Sequence, residues 1–246
     1  MVSKSQIKLI KSLSQKKYRN KHQLFVVEGR KGVEEFLDSS FELFALFSSS
    51  EDYKVSSELY FPASEDELKK ISFLKTPTDV VAVFKLKESE EIIESALKVV
   101  LDGVRDPGNL GTIIRLCDWF GIKTLICSRD TVDCFNPKVV QASMGSLTRV
   151  SVKYTALGEL FENNPELPVY GTLLEGENLY TSTLENNGFL LLGNEANGIS
   201  EEIKPFITHK ITIPQFGAIQ STESLNVATA TAVALSEFKR GVFTEK

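Results

Sequence analysis

Three short segments of the 246-residue chain combine glycine, polar and charged residues in ways that can do chemistry. The first, LDGVRDPGNLGTIIRLCDWFGI at residues 101–122, leaves an apolar run through Asp102, Gly103, Arg105, Asp106, Pro107, Gly108 and Asn109. It then enters a helical pattern that carries Arg115 one to two turns in. Such a loop can hold an anion or a nucleotide, because the first backbone N–H groups of a helix have no partner within it. Neither GxGxxG nor GxxxxGK[ST] is present, and an ordinary turn with a capped helix explains these residues equally well. The second segment, FLLLGNEANGIS at residues 189–200, ends an apolar run in Gly193, Asn194 and Glu195. Its spacing predicts Ser200 as the cap of a short helix with Glu201 and Glu202 in the first turn. Glu195 is then a polar turn residue or a functional carboxylate at a sheet edge. The third, residues 211–238, runs a strand into Pro214 and a polar loop. Ser224, Leu225 and Asn226 follow ahead of a long helix, with Ser224 as the predicted N-cap, a role compatible with a ligand contact.

These loops need a scaffold, and the hydrophobic pattern predicts one. Residues 23–27 read as a strand, 31–37 as a helix, 41–47 as an apolar run, 65–71 as a helix and 80–84 as a β-branched strand. They form a small α/β unit, and the charged stretch at 85–94 is the natural boundary, giving domains at 1–90 and 91–246. Beyond it, short apolar runs at 97–101, 124–127, 150–154, 169–173, 189–192 and 210–213 alternate with plausible helices. Asn136 ahead of Pro137 marks one helix start. Such alternation predicts a mainly parallel sheet with helices on both faces and ligands at the carboxyl ends of its strands. The terminal helix, about 225–240, is rich in Ala and Thr, small enough for another backbone to approach.

Composition excludes several classes. At 42% hydrophobic and 25% charged residues the chain reads as globular, and no apolar run approaches the ~18 residues that span a bilayer, so no membrane insertion is expected. The opening MVSKSQIKLIKSLSQKKYRN is basic but lacks the apolar core and cleavage site of a signal peptide, and a cytoplasmic location is expected. Cys117, Cys127 and Cys134 have no CxxC spacing, and His22 and His209 are the only histidines; no metal is expected, and a Ser-His-Asp triad has little to draw on. Each histidine is expected at a surface or a strand end.

The net charge of −5 hides an asymmetry: residues 1–31 hold nine Lys/Arg and the single acid Glu28, leaving 19 basic and 32 acidic residues beyond. Lys4, Lys8, Lys11, Lys16, Lys17, Arg19 and Lys21 can neutralise phosphates. With Ile7, Leu9, Ile10 and Leu13 the same stretch is equally an amphipathic helix with a solvated basic face.

Taken in order, DPGNLGTIIR, GNEANGIS, IPQFG and SLNVATATA resemble the three motifs of the SpoU, or TrmH-like, branch of the SPOUT RNA methyltransferases, over residues 98–240. Upstream, KKYRNKHQLFVVEGRKGVEEFL resembles the L30e-like substrate-binding domain attached to many of them. The resemblance implies an α/β SPOUT catalytic domain with a C-terminal trefoil knot, S-adenosylmethionine as cofactor, a homodimer, and methyl transfer to a ribose 2′-hydroxyl of structured ribosomal or transfer RNA, with the L30e-like module favouring ribosomal RNA. By position it implies catalytic roles for Asn109, Arg115, Glu195, Ser224 and Asn226, and cofactor contacts for Gly193, Ile213 and Leu225, largely through backbone. Lys16, Lys17, Arg19, Lys21 and Arg30 are the expected RNA contacts.

In that scheme the sulfonium already makes the methyl electrophilic, and the protein orients the 2′-oxygen and assists loss of its proton. Arg115 has been proposed as the base in the family. A guanidinium is effectively always protonated, so a phosphate clamp that also stabilises alkoxide charge suits it better, with Asn109, Ser224 and Asn226 orienting the hydroxyl. The sequence departs from the family pattern in one place: six residues, 218–223, separate Gly217 from Ser224 where about three are usual. That longer loop is the feature that favours an alternative reading, a non-catalytic RNA-binding or assembly factor. A dehydrogenase is disfavoured because the dinucleotide loop is missing.

Overall fold

A computed structural model describes residues 1–87, 96–217 and 224–243. The chain divides into two compact units, one made of Met1–Glu88 with Asp133–Thr148, the other of Ser89–Val132 with Arg149–Lys246. The first unit holds α1 (Lys4–Ser12), α2 (Lys16–His22), β1 (Leu24–Glu28), α3 (Arg30–Leu37), β2 (Leu43–Ser48), β3 (Tyr60–Pro62), α4 (Glu65–Ile71) and β4 (Val80–Lys85). The second opens with β5 (Leu97–Leu101), α5 (Pro107–Trp119) and β6 (Thr124–Ser128). The chain then rejoins the first unit for α6 (Pro137–Ser143) and a 3-10 turn at Ser146–Thr148. It completes the second with β7 (Ser151–Thr155), α7 (Leu157–Glu162), β8 (Val169–Asn178), β9 (Gly188–Leu192), a 3-10 turn at Lys204–Phe206, β10 (His209–Thr212) and α8 (Val227–Phe243).

The first sheet has the order β1-β4-β2-β3, antiparallel except for β2 against β3. Phe25 pairs with Phe84 in register, and their rings meet those of Phe36, Phe41 and Phe135. Phe135 comes from the returning segment. That segment is the difference from the contiguous division near residue 90: Asp133–Thr148 packs with the N-terminal elements. Local composition cannot show this, because the return is fixed by side chains distant in sequence. The three-residue β3 was likewise below what hydrophobic periodicity resolves.

The second sheet is parallel throughout, in the order β10-β8-β9-β5-β6-β7. Its inner strands β5, β6 and β9 are almost wholly buried, as a sheet covered on both faces requires. Phe161 of α7 packs edge-on to Phe189, whereas Phe238 of α8 packs on Tyr170, the strand neighbour of the Val169 that shares the Phe161 cluster. Successive strand residues point to opposite faces, so α7 and α8 cover opposite sides. From β5 the chain moves outward to β6 and β7, while β8 and β9 return on the other side. The loops after β5 and β9 therefore emerge side by side where the order reverses, the place where open parallel sheets bind ligands.

Candidate active site

Backbone and side-chain bonds lock those two loops together. The Asp102 amide donates to the Leu192 carbonyl at 2.9 Å, and its buried carboxylate accepts the Ser200 amide at 2.7 Å. Gly103 turns the chain at φ +71°, donates its N–H to Ser128 Oγ at 2.8 Å, and accepts Asn194 Nδ2 at 2.6 Å. Asn194 also pairs with Gly198 through both backbone bonds, closing a tight hairpin over Glu195, Ala196 and Asn197. Gly193 makes this possible: a Cβ there would lie 2.1 Å from the Gly198 carbonyl carbon.

Glu195 is the convergence point. Its carboxylate accepts the Arg105 and Asp106 amides at 3.3 Å each and Asn109 Nδ2 at 2.9 Å. Asp106 caps α5 by accepting the Asn109 amide at 2.8 Å, with Pro107 as first helical residue. Asn226 Nδ2 donates to Asn109 Oδ1 at 2.9 Å, while Asn226 Oδ1 accepts the Ala228 and Thr229 amides at 2.9 and 3.2 Å. Carboxylates only accept and backbone N–H groups only donate, so both side-chain amides are oriented by their neighbours. The result is a one-way chain of donors from the amino end of α8 through Asn226 and Asn109 to Glu195. Burial pushes the Glu195 carboxyl up, but the bonds from Asn109 and the converging amides outweigh it and leave it below the usual range.

Three of the five residues expected to be catalytic, one from each segment, thus meet in one network. Arg115 stands six positions after Asn109, about 120° around the helix and about 9 Å along it. It is exposed and makes no hydrogen bond or ion pair among the described residues. Ser224 is exposed as well, and it is not the helix cap: Asn226 holds that role, because α8 begins at Val227. Ser200 also differs from expectation. Residues 201–203 form a turn rather than a helix; the Ser200 carbonyl accepts from Ile203 and Lys204, and its buried Oγ has no partner among the described residues. Ile213, just past β10, is half-buried, and Leu225 is half-exposed. The loop at 218–223 lies outside the described residues.

Asp106, Asn194 and Ser128 were not singled out for these roles from the sequence. The Asp-Pro pair was a legible cap signal for the first. The other two act through backbone partners many residues away. Among the described residues no group of three His, Cys, Asp or Glu is placed to hold a metal, and no helix is long and apolar enough to cross a membrane. None of the three cysteines is in a disulfide, and all are buried.

The basic residues belong to the first unit. Lys16, Lys17 and Lys21 are exposed on α2. Arg30 is half-exposed, bonded to Asp79 at 3.0 Å and over the Tyr53 ring. Arg19 does not fit an RNA contact: it is 2% exposed, with its guanidinium given to Asp133 and to the Leu13 and Ser14 carbonyls. It is an internal tie, and the paired charge explains how an arginine can be buried there.

Residues 96–236 match the model of the SpoU rRNA Methylase family, and residues 4–82 that of the MRM3-like substrate binding domain. The 23S rRNA (guanosine(2553)-2′-O)-methyltransferase RlmP of Bacillus subtilis is 32% identical over 232 residues, 91% of each chain. A TrmH-family protein of Porphyromonas gingivalis superimposes with a TM-score of 0.88 at 40% identity, over 98% of this chain and 99% of that one. The AdoMet-bound rRNA methyltransferase of Sinorhizobium meliloti does so at 0.86 and 30%, over 98% and 97%. With the three motif segments joined through Glu195, Asn109 and Asn226 on a parallel sheet, and with most of the second unit inside the matched region, the chain belongs to the SpoU rRNA methylase family.

Proposed function

We propose that this protein transfers the methyl group of S-adenosylmethionine to a ribose 2′-hydroxyl of ribosomal RNA. The observation that carries the reading is the Glu195–Asn109–Asn226 network, which draws residues from three separated segments to one place. Each amide nitrogen in it retains a second N–H, so Asn109 and Asn226 can orient a ribose oxygen while Glu195 holds them still. Arg115, unspent within the described residues, suits a phosphate beside the target ribose and the alkoxide charge that develops there.

The residues fit the cofactor. Gly193, Ile213 and Leu225 offer backbone groups and apolar side chains rather than charge, which suits a purine and a sulfonium, and Leu225 is exposed as a ligand contact would be. When bound, S-adenosylmethionine supplies an electrophilic methyl. The same reading includes the knotted C-terminal segment and a homodimer. Exposed Trp119 and Leu225 support the dimer as apolar surface of the kind a second copy covers. It assigns the first unit to RNA recognition through Lys16, Lys17, Lys21 and Arg30, and places the protein in the cytoplasm, where cysteines outside disulfides are the rule, as all three are here.

The test is transfer of label from methyl-tritiated S-adenosylmethionine to large-subunit ribosomal RNA, with 2′-O-methyl sites mapped in cells with and without the gene. Label at a ribose lost in the deletion strain is expected. Absence of transfer, or label on a base, overturns the reading.

A further inference from the structure

A charge problem surrounds the site in the second unit. Asp106, Glu195 and Asp130 gather at the carboxyl ends of β5, β6 and β9, and the proposed substrate is a polyanion. Cations must offset them, and two arginines stand at this edge. Arg105 is fixed at its backbone by Glu195, which accepts its N–H, while its side chain is 70% exposed with one long ion pair, 3.5 Å, to Asp130. Arg129 is exposed and makes no hydrogen bond or ion pair among the described residues.

The segment bearing Arg129 and Asp130 is built to stay in place. The Thr131 amide closes a turn onto the Ser128 carbonyl at 3.1 Å, and the Val132 amide bonds the Val104 carbonyl at 3.0 Å. Ser128 Oγ accepts the Gly103 amide and donates to Asp130 at 2.7 Å. That bond, more than Arg105, holds the Asp130 carboxyl below its ordinary range, so it stays charged. The turn and the Arg105 loop are thus one rigid platform. An ion pair this long and exposed is weak, so a phosphate can displace Asp130 from Arg105.

We propose that Arg105 and Arg129 form a phosphate-binding pair that leads the RNA backbone across the carboxyl edge of β5 and β6 to the methyl-transfer site, with Asp130 parking Arg105 until RNA arrives. This rests on the RNA-methyltransferase reading and adds the path of the substrate over the catalytic unit. It accounts for an arginine that is pinned at its amide yet nearly free at its guanidinium.

The test uses the full chain and protein-free, in vitro transcribed 23S ribosomal RNA, with affinity measured between about 50 and 200 mM salt. Arg105→Gln and Arg129→Gln each keep the backbone amide. Each is expected to lower the salt-dependence slope by about one, and the double variant by about two, with weaker binding throughout. S-adenosylmethionine affinity, read by calorimetry, stays unchanged. Lys123→Gln, at the amino end of β6 and so the opposite edge of the sheet, leaves the slope as in the wild type. An unchanged slope in the double variant overturns the pair, as does an equal loss of S-adenosylmethionine binding, which signals a structural role. Methyl transfer by the wild type is scored separately: its absence overturns the functional reading, while the slopes still decide whether these arginines meet phosphate.

Discussion

In Glu195 a carboxylate stays ionised because N–H donors converge on it, and what it does with that charge is hold Asn109 in one orientation. Arg115 has the opposite character, a permanent cation with nothing in the described residues to hold it, which is what a group awaiting a phosphate needs. Arg115→Lys keeps the charge and loses the planar fork. It is expected to lower the single-turnover rate about 10²-fold with S-adenosylmethionine affinity intact; retention of most of the rate would contradict a two-pronged clamp. A different carboxylate shows how burial acts without enough donors. Burial raises Glu28 above its ordinary value, and bonds from Ser72 and the Phe73 amide, with nearby Lys11, only partly oppose this. A group raised in the folded state binds its proton more tightly there, so its contribution to stability is complete below the ordinary value and is lost as pH rises through the raised one. Glu28→Gln keeps an acceptor for Phe73 and cannot ionise. Melting temperatures compared from about pH 4 to 8 should therefore show the variant gaining on the wild type as pH rises, and a constant difference would remove Glu28 as the cause.

At the level of elements, the amino end of α8 does two things through one residue. Asn226 satisfies the Ala228 and Thr229 amides with its oxygen and reaches Asn109 with its nitrogen. Asn226→Asp separates them: a carboxylate still caps the helix, and favourably so at its positive end, but it cannot donate to Asn109. Stability close to wild type with activity down about 10²-fold is expected in urea melts and methyl-transfer assays, whereas Asn226→Ala also loses about 1 kcal/mol of stability. If Asn226→Asp retains full activity, the link to Asn109 is not part of the machinery. The sequence made much of this legible. The strands, the parallel sheet and the Asn136–Pro137 helix start follow from periodicity and cap chemistry, and Asn109, Glu195 and Asn226 follow from motif order. Serine favours the cap position, which is why the sequence alone points to Ser224. Which of two capping residues serves depends on where the helix begins, and the bond to Asn109, 117 positions away, favours Asn226. Ser200 differs for a similar reason: Asp102, from the loop after β5, takes its amide.

For the molecule as a whole, charge is unevenly spread, with a basic amino end and an acidic remainder, yet charge alone points to the wrong role for one residue. Arg19 sits in a basic run, and only its long-range partner shows that it serves the interior. Asp133 belongs to the segment by which the chain returns to its first unit, so the buried pair ties the two pieces of that unit together, beside the contact of Phe135 with Phe25 and Phe41. No local pattern reveals a discontinuous unit, since its evidence lies in contacts separated by more than a hundred residues. Removing one partner is costlier than removing both, because an unpaired guanidinium would remain inside. Asp133→Ala is expected to cost about 3–5 kcal/mol in urea unfolding, while the uncharged pair Arg19→Met with Asp133→Leu recovers most of it. If Arg19 instead turned outward in Asp133→Ala, the loss would be small and protection of the α6 amides from hydrogen exchange would persist. That outcome would show the phenylalanine cluster alone holds the returning segment, and would restore Arg19 as a residue able to face RNA.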